Sequence, residues 1–325
     1  MTTEVSMNPS NFQINQLKIA VLAGGIGDER DISIQSGKYV AESLKQTGAN
    51  VITADITPQN MDVLDNTDID VFFIALHGKF GEDGQLQQIL EDKSLTYTGS
   101  GPKASELAFD KTAAKNAFEN AGIKTPPALQ FDQNADLNQL KEKLLNFAQK
   151  YVIKPQKQGS SVGITITEDI KHAIEAAQET QKHFGDCIIE KFIPGREITV
   201  GIIARQTLPI IEIKTKTPFY DYHAKYLDDQ TEYLFDTIKD PGTISKINSA
   251  ALDCFDALRC RGFARADFIL ANDNTPYCLE VNTIPGFTSH SLLPKAAENA
   301  GISMSSLCEK IIQTAVQTKK LDPVP

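Results

Sequence analysis

No run of apolar residues in this 325-residue chain is long enough to span a membrane. The segment before Leu17 is polar and lacks a charged stretch followed by an apolar one, so no export leader is predicted and a cytoplasmic protein is expected. Basic blocks are missing too, and 42 acidic residues against 32 basic ones leave a net charge of −10. That balance argues against nucleic acid or an anionic membrane as main partner; an anionic ligand would need a locally basic pocket. Cysteine is scarce: Cys187, Cys254, Cys260, Cys278 and Cys308 are odd in number and include no CxxC pair. Reduced, mostly buried thiols are predicted, not a disulfide frame or a zinc site. Internal repeats are absent. The first glycine-rich loop begins Gly25-x-Gly27 but has no third glycine at position 30 and no Walker lysine, which disfavours a dinucleotide fingerprint or P-loop.

What is present centres on positions 263–282, FARADFILANDNTPYCLEVN, which reads as a β-hairpin. With Asp273 and Asn274 as loop residues, Asp267 sits opposite Glu280 and Arg265 opposite Asn282, all on one face. The other face is then Ala264, Ala266, Phe268, Leu270, Tyr277, Leu279 and Val281, an apolar set fit for a core. Carboxylates directly opposite, with Cβ atoms roughly 5 Å apart, repel unless neutralised. Asp267, Glu280 and Asn282 offer only oxygen ligands, which suits Mg²⁺ held together with substrate phosphates. A surface hairpin with Arg265 bridging both acids is the other reading.

Upstream, positions 18–23 (KIAVLA) form a strand ending at Gly24-Gly25, followed by helical spacing from Ser33 to Lys45. A second buried strand at 71–75 leads to a loop with His77-Gly78 and Gly81-Glu82-Asp83-Gly84, then a helix near 86–91. Ligands collect beyond the carboxyl ends of strands in such open sheets, which is where Glu29, His77 and Glu82 fall. A helix from Lys111, capped by Asp110 and stopped at Gly122, precedes the chain break Thr125-Pro126-Pro127. The next unit reads as α+β. Its strands lie at 151–154, 164–167, 187–192 and 197–203. Between the first two, Gly159, Ser160, Ser161 and Gly163 could wrap phosphate oxygens, with Lys111 and Lys154 supplying charge, or could form an ordinary hairpin turn. Positions 215–243, rich in tyrosine and charge, read as a lid.

The segments AGGIGDERDIS, ALHGKFGEDG, YTGSG, DKTAAK, KPQKQGSSVG, IIEKFIPGREITV, FYDYHAKY, RADF and EVNTIPGFTSHSLLP, in this order, resemble those of D-alanine:D-alanine ligases of the ATP-grasp superfamily. The resemblance covers the chain from the first strand almost to its end. It implies an ATP-grasp fold, mixed α/β and α+β: an N-terminal open parallel-sheet domain followed by two α+β domains that clamp ATP. The expected boundaries are a polar tail at 1–17, an N-terminal domain at 18–110, a central unit at 111–198, a C-terminal unit at 199–318 carrying the lid, and a tail at 319–325.

The implied reaction phosphorylates one D-alanine carboxylate with ATP; the amine of a second D-alanine then attacks, as in peptidoglycan precursor synthesis. Mg²⁺, with Mn²⁺ as a substitute, would rest on Asp267, Glu280 and Asn282. By the same resemblance Lys111, Lys154, Gly159, Ser160, Ser161 and Gly163 hold phosphates. Glu190, Lys191, Phe192, Ile193 and Glu197 hold adenine and ribose. Glu29, with His77 nearby, would meet the first D-alanine's ammonium; Lys225, Gly286, Ser291 and Leu292 would meet the second one's carboxylate. Arg265 would stabilise the transferring phosphoryl group and Tyr226 would bond Ser160 and Glu29, so Glu29, Ser160, Tyr226 and Arg265 form the implied catalytic set. A homodimer is also expected. Asp28 and His223 depart from the family pattern: Asp28 would compete for the ammonium, and His223 reads first as a solvated loop histidine, with a weak pH dependence of lid closure as the other reading. A ligase making a D-alanyl-D-lactate ester is the second reading, and a nucleotide-binding regulator without turnover the third.

Overall fold

Apolar side chains run without alternation along β1 (Lys18–Gly24) and β3 (Val71–Ile74), and both strands are buried on both faces, as parallel strands under helices must be. With β2 (Asn50–Ile56) they form a parallel sheet in the order β2-β1-β3. The structure is a computed structural model and describes residues 12–215 and 231–321. From β1 the chain passes through α1 (Arg30–Lys45) to one side of the sheet, whereas β3 lies on the other. Loops leaving the carboxyl ends of β1 and β3 therefore diverge, opening a crevice where ligands bind in open α/β sheets. Beyond β3 come α2 (Gln85–Asp92), α3 (Pro102–Phe109) and α4 (Lys111–Asn120).

The second sheet is antiparallel. It contains β4 (Ala128–Phe131), β5 (Tyr151–Pro155), β6 (Thr165–Thr167) and β7 (Cys187–Lys191), ordered β4-β7-β5-β6. Two helices, α5 (Leu137–Phe147) and α6 (Ile170–Phe184), bury Leu140, Leu144, Ala173 and Ala177 against it. Asp136 and Asp169 cap those helices by accepting backbone N–H bonds. β5 and β6 pair directly, so the segment between them is a hairpin connection as well as a wall of the site described below.

A third, six-stranded sheet comprises β8 (Gly195–Ile203), β9 (Gln206–Thr207), β10 (Ile211–Lys214), β11 (Glu232–Leu234), β12 (Phe263–Ala271) and β13 (Pro276–Asn282). Its main path is β11-β10-β8-β12-β13, with β9 on β8. Helix α7 (Pro241–Ala257) covers one face, packing Ile247, Cys254 and Phe255 with Ile198, Val200 and Phe268. The last helices, α8 (Leu292–Asn299) and α9 (Met304–Leu321), return to the first sheet: Leu293, Leu307 and Ile311 share a core with Leu22, Val40 and Phe73. Ile14, in the otherwise polar segment before β1, is buried in that same core.

The hairpin β12–β13 pairs Asp267 with Glu280 and Arg265 with Asn282, as expected. Its turn differs from expectation. The Asn274 N–H donates to the Ala271 carbonyl at 2.9 Å and Ala271 N–H to Thr275 at 3.0 Å, so residues 272–274 form the loop and Asn274 is left-handed at φ 61. The ladder thus starts one residue out of register, with Ile269 opposite Tyr277, and a bulge next to Asp267 restores it. Between turn and bulge the faces of β13 are exchanged. Cys278 takes the core position expected of Leu279, while Tyr277 and Leu279 are only half-buried and stand outside that core.

Candidate active site

Two neighbouring cavities meet at this hairpin. The first lies beyond the carboxyl ends of β1 and β3 and is lined by Glu29, His77, Glu82, Gly159, Ser160, Arg265 and Asn282, together with Gly286, Ser291 and Leu292. Glu29 is the residue before α1, and the Ser160 hydroxyl donates to its carboxylate, joining the loop after β1 to the loop after β5. Space around it is tight: a Cβ at Gly159 would stand 3.2 Å from the Glu29 carboxylate oxygens, and one at Gly78, which is left-handed at φ 68, nearer still. Asp28 is exposed and does not line this cavity.

His77 is buried and fully bonded. Its Nδ1–H donates to the Ile284 carbonyl at 3.1 Å, since a carbonyl can only accept. Nε2 is then the acceptor for the Ser36 hydroxyl at 3.0 Å, and Ser36 Oγ accepts the Phe287 N–H at 3.2 Å. Burial, with the Arg265 charge, outweighs the bond to Ile284 and lowers the imidazole pKa to about 4. Neutral His77 thus clamps the loop after β3 to the loop that follows β13. Glu82 is the acid that the sequence placed on this loop without a role. It accepts the Gly78 N–H at 2.8 Å, and burial, then the Glu29 charge, push its pKa up to about 8.

Arg265 grips Asp267 with Nε and Nη2 at 2.9 and 2.8 Å. Asp267 also accepts from Asn282 Nδ2 at 3.0 Å and from Thr199 Oγ1 at 2.5 Å. Thr199 was not singled out from sequence; it faces Asp267 directly across β8 and β12, and the signal was its place two residues after Glu197 on the same strand face. Arg265 does not bridge both acids, because Glu280 stands 3.4 Å from Lys111 instead.

The second cavity is a cleft between the second and third sheets. Its lining contains Lys111, Lys154, Ser161, Glu190, Lys191, Phe192, Ile193, Glu197, Asp267 and Glu280, with Ile164, Ile269 and Leu279 as apolar walls. The bulge in β13 is what turns Leu279 toward the cleft. Lys111 donates to the Gln158 carbonyl at 2.6 Å. Asp110, the cap of α4, also accepts from Gln156 Nε2 at 2.8 and 2.9 Å, which fastens the β5–β6 loop to that helix. Glu190 is buried between Lys154 at 2.9 Å and Lys115 at 2.7 Å. Burial alone would raise its pKa, but the two ammonium groups prevail and hold it below the carboxylate range. Lys111 is shifted down by burial, which the Glu280 charge only partly offsets. In the β5–β6 loop Ser160, Ser161 and Gly163 have φ of 53, 57 and 73. Gly163 lines neither cavity and packs toward Phe184 and Pro155.

Lys225, Tyr226 and His223 lie outside the described residues, as does most of the expected lid. Of that segment's later part, Glu232–Leu234 pairs with β10 as β11 and Pro241 begins α7. Among the described residues no group of three or more His, Cys, Asp and Glu side chains could hold a metal ion. The donor set of Asp267, Glu280 and Asn282 is nevertheless all oxygen, and it fits a hard cation whose remaining ligands come from a phosphate chain. No helix among the described residues is long and apolar enough to cross a membrane.

Two family models match the chain: "D-ala D-ala ligase C-terminus" over residues 117–313 and "D-ala D-ala ligase N-terminus" over 59–100. The chain is 39% identical over 295 residues to the D-alanine–D-alanine ligase of Methylacidiphilum infernorum, covering 91% of this chain and 94% of that one. It is 40% identical over 305 residues to that of Syntrophotalea carbinolica, covering 93% and 97%. The solved D-alanine–D-alanine ligase of Bacillus anthracis complexed with ATP superposes with a TM-score of 0.81 at 34% identity, covering 94% of this chain and 99% of that one. The VanG D-Ala:D-Ser ligase of Enterococcus faecalis superposes at 0.80 with 29% identity, covering 92% and 99%.

Proposed function

Because the chain belongs to the D-alanine–D-alanine ligase family and joins two D-alanine molecules at the expense of ATP, we propose that its two cavities are consecutive compartments of one reaction. The observation that carries this reading is the Arg265–Asp267 pair: Arg265 lines the first cavity and Asp267 the second, and the guanidinium fork joins them. A phosphoryl group passing from ATP to a D-alanine carboxylate has to cross at that point.

In this reading ATP occupies the cleft between the second and third sheets. Adenine and ribose meet Glu190 through Ile193 and Glu197, and the phosphates meet Lys111, Lys154 and the β5–β6 loop, whose Ser161 lines this cleft while Gly159 and Ser160 line the first cavity. Asp267, Glu280 and Asn282 would hold Mg²⁺, or Mn²⁺ in its place, which neutralises charge on the phosphate chain when bound. A carboxylate oxygen of the first D-alanine attacks the terminal phosphorus; the bond to ADP breaks and D-alanyl phosphate forms. Arg265 faces the negative charge that develops there. Glu29, its carboxylate fixed by Ser160, holds the first ammonium.

The amine of the second D-alanine attacks the acyl carbon, inorganic phosphate leaves with the C–O electron pair, and the nitrogen gives up a proton to that phosphate. Gly286, Ser291 and Leu292 line the end of the cavity where the second carboxylate would rest, and Lys225 and Tyr226 complete it in this reading. Closure against water protects the acyl phosphate from hydrolysis. The use of ATP fits a cytoplasmic enzyme of peptidoglycan precursor synthesis.

The test is an incubation with ATP, Mg²⁺ and D-alanine, with products resolved by mass. ADP, phosphate and D-alanyl-D-alanine should appear in equal amounts, and only when D-alanine is present. In a mixture with equal D-lactate or D-serine the D-alanyl-D-alanine peak should dominate; a dominant ester or mixed dipeptide would overturn the choice of second substrate.

A further inference from the structure

Lys115 is a buried cation with no place in the reaction so far. It lies one turn along α4 from Lys111, is 5% exposed, and does not line the cleft read as the ATP site. Its ammonium is saturated all the same. It meets Glu190 at 2.7 Å, Thr125 Oγ1 at 2.6 Å and the Pro126 carbonyl at 2.7 Å. Glu190's other oxygen takes Lys154 at 2.9 Å, and Lys154 does line the cleft. Two ammonium groups therefore share one carboxylate.

The hydrogen bonds continue past Lys115. The Thr125 hydroxyl donates to the Cys278 carbonyl at 2.9 Å, and Cys278 N–H donates to the Lys124 carbonyl at 2.8 Å. Cys278 is two residues before Glu280 on β13, so the connection between α4 and β4 is strapped to the strand that carries Glu280. One ammonium thus joins the carboxylate at the end of β7 to the hairpin on the far side of the cleft.

We propose that Lys115 is a positioning residue for the nucleotide: by neutralising Glu190 it leaves the charge of Lys154 for a phosphate chain, and through Thr125 it sets the hairpin against the cleft. This rests on the reading of that cleft as the ATP site. Without Lys115, Glu190 and Lys154 cancel, and the phosphate end of the cleft loses a full positive charge. With Glu190 also neutral, Lys154 regains it. A residue that only supports packing would show no such reversal.

The experiment compares native chain, Lys115→Met, Lys115→Arg, Glu190→Gln and the double variant Lys115→Met with Glu190→Gln, with KM for ATP and for D-alanine and kcat measured separately. Lys115→Met should raise the ATP KM about tenfold or more, as loss of one member of a buried charged pair does, while the D-alanine KM stays unchanged. Lys115→Arg should stay near native, and in a Glu190→Gln background Lys115→Met should change the ATP KM by no more than about threefold, whatever Glu190→Gln does alone, the mark of a coupled pair. Lys115→Gln carries the same expectation as the methionine variant and takes its place should that variant not fold. An unchanged ATP KM, equal rises for both substrates, or a Lys115→Met effect as large in the Glu190→Gln background as in the native one would overturn the proposal. ADP binding to Lys154→Ala separates the two levels. Native-like binding there removes the ATP reading of the cleft, whereas lost binding there beside an unaffected Lys115→Met removes only the role of Lys115.

Discussion

Asp267 and Glu280 face each other across β12 and β13, yet each is held by a different cation: Arg265 binds Asp267 in a fork and Lys111 stands 3.4 Å from Glu280. Opposed carboxylates destabilise a strand pair unless something neutralises them. Here the neutralising groups come from opposite sides, Arg265 from the first cavity and Lys111 from the cleft. The hairpin is thereby poised between two compartments.

Glu280→Ala should abolish Mg²⁺-dependent turnover, lowering kcat by about a hundredfold or more, because it removes a carboxylate facing the phosphates. The fold should survive. Relief of repulsion with Asp267 is offset by loss of the partner of buried Lys111, so melting temperature should change little. Steady-state kinetics and a thermal melt check both points, and near-native turnover would remove Glu280 from the site.

Arg265→Lys should keep ADP binding and lower kcat by roughly a hundredfold. A lysine cannot reproduce the two parallel bonds to Asp267, and a point charge follows the moving phosphoryl group less well than a planar fork. Measuring kcat and KM separately distinguishes this from simple substrate binding; an effect confined to KM would mean that Arg265 only binds.

Alternation in positions 263–282 was enough to place Arg265 opposite Asn282 and Asp267 opposite Glu280, since strand period and side-chain polarity agree there. The turn was harder to read: a three-residue loop and a bulge each shift the register by one, and the shifts cancel before Asp267. Nothing in PYCLE indicates which of Cys278 and Leu279 faces the core. β2 escaped notice because its pattern, half-buried and exposed along NVITADI, lacks the continuous apolar run that marked β1 and β3. Ile14 was hidden among polar neighbours. Contacts such as Lys115 with Glu190 join residues far apart in the chain, and spacing carries no trace of them.

The buried imidazole of His77 gives a pH dependence whose sign is fixed. Its folded pKa of about 4 lies below the ordinary 6.5, so protons bind the unfolded chain more readily between those values. The contribution is intact above pH 6.5 and is lost as pH falls toward 4, amounting to about 3 kcal/mol in all. Urea unfolding of native protein and His77→Gln at several pH values tests this. The variant should be less stable at pH 7, by about 1–3 kcal/mol for the lost bonds, and the gap should narrow on acidification. A gap constant with pH would show that His77 does not titrate with unfolding.

Glu82 runs the other way, and it bears on how one pocket can hold two acids. Its folded pKa of about 8 lies above the ordinary 4.5, so the folded chain keeps a proton that the unfolded chain has lost. Stability contributed by this group is intact below pH 4.5 and falls as pH rises toward 8. Glu29, in the same cavity, receives the Ser160 hydroxyl. Ionising both carboxyl groups in one cavity is costly, and after burial the Glu29 charge is what keeps the proton on Glu82. Glu82→Gln replaces a neutral acid by a neutral amide of the same shape. It should keep turnover at pH 7 within about tenfold of native, since no charge is removed, and should gain stability over native as pH rises from 4.5 to 8. Urea titrations across that range, paired with D-alanine KM at pH 7, decide the matter. A large rise in D-alanine KM without any alkaline gain in stability would mean that Glu82 works as an anion and that the two acids share the ammonium.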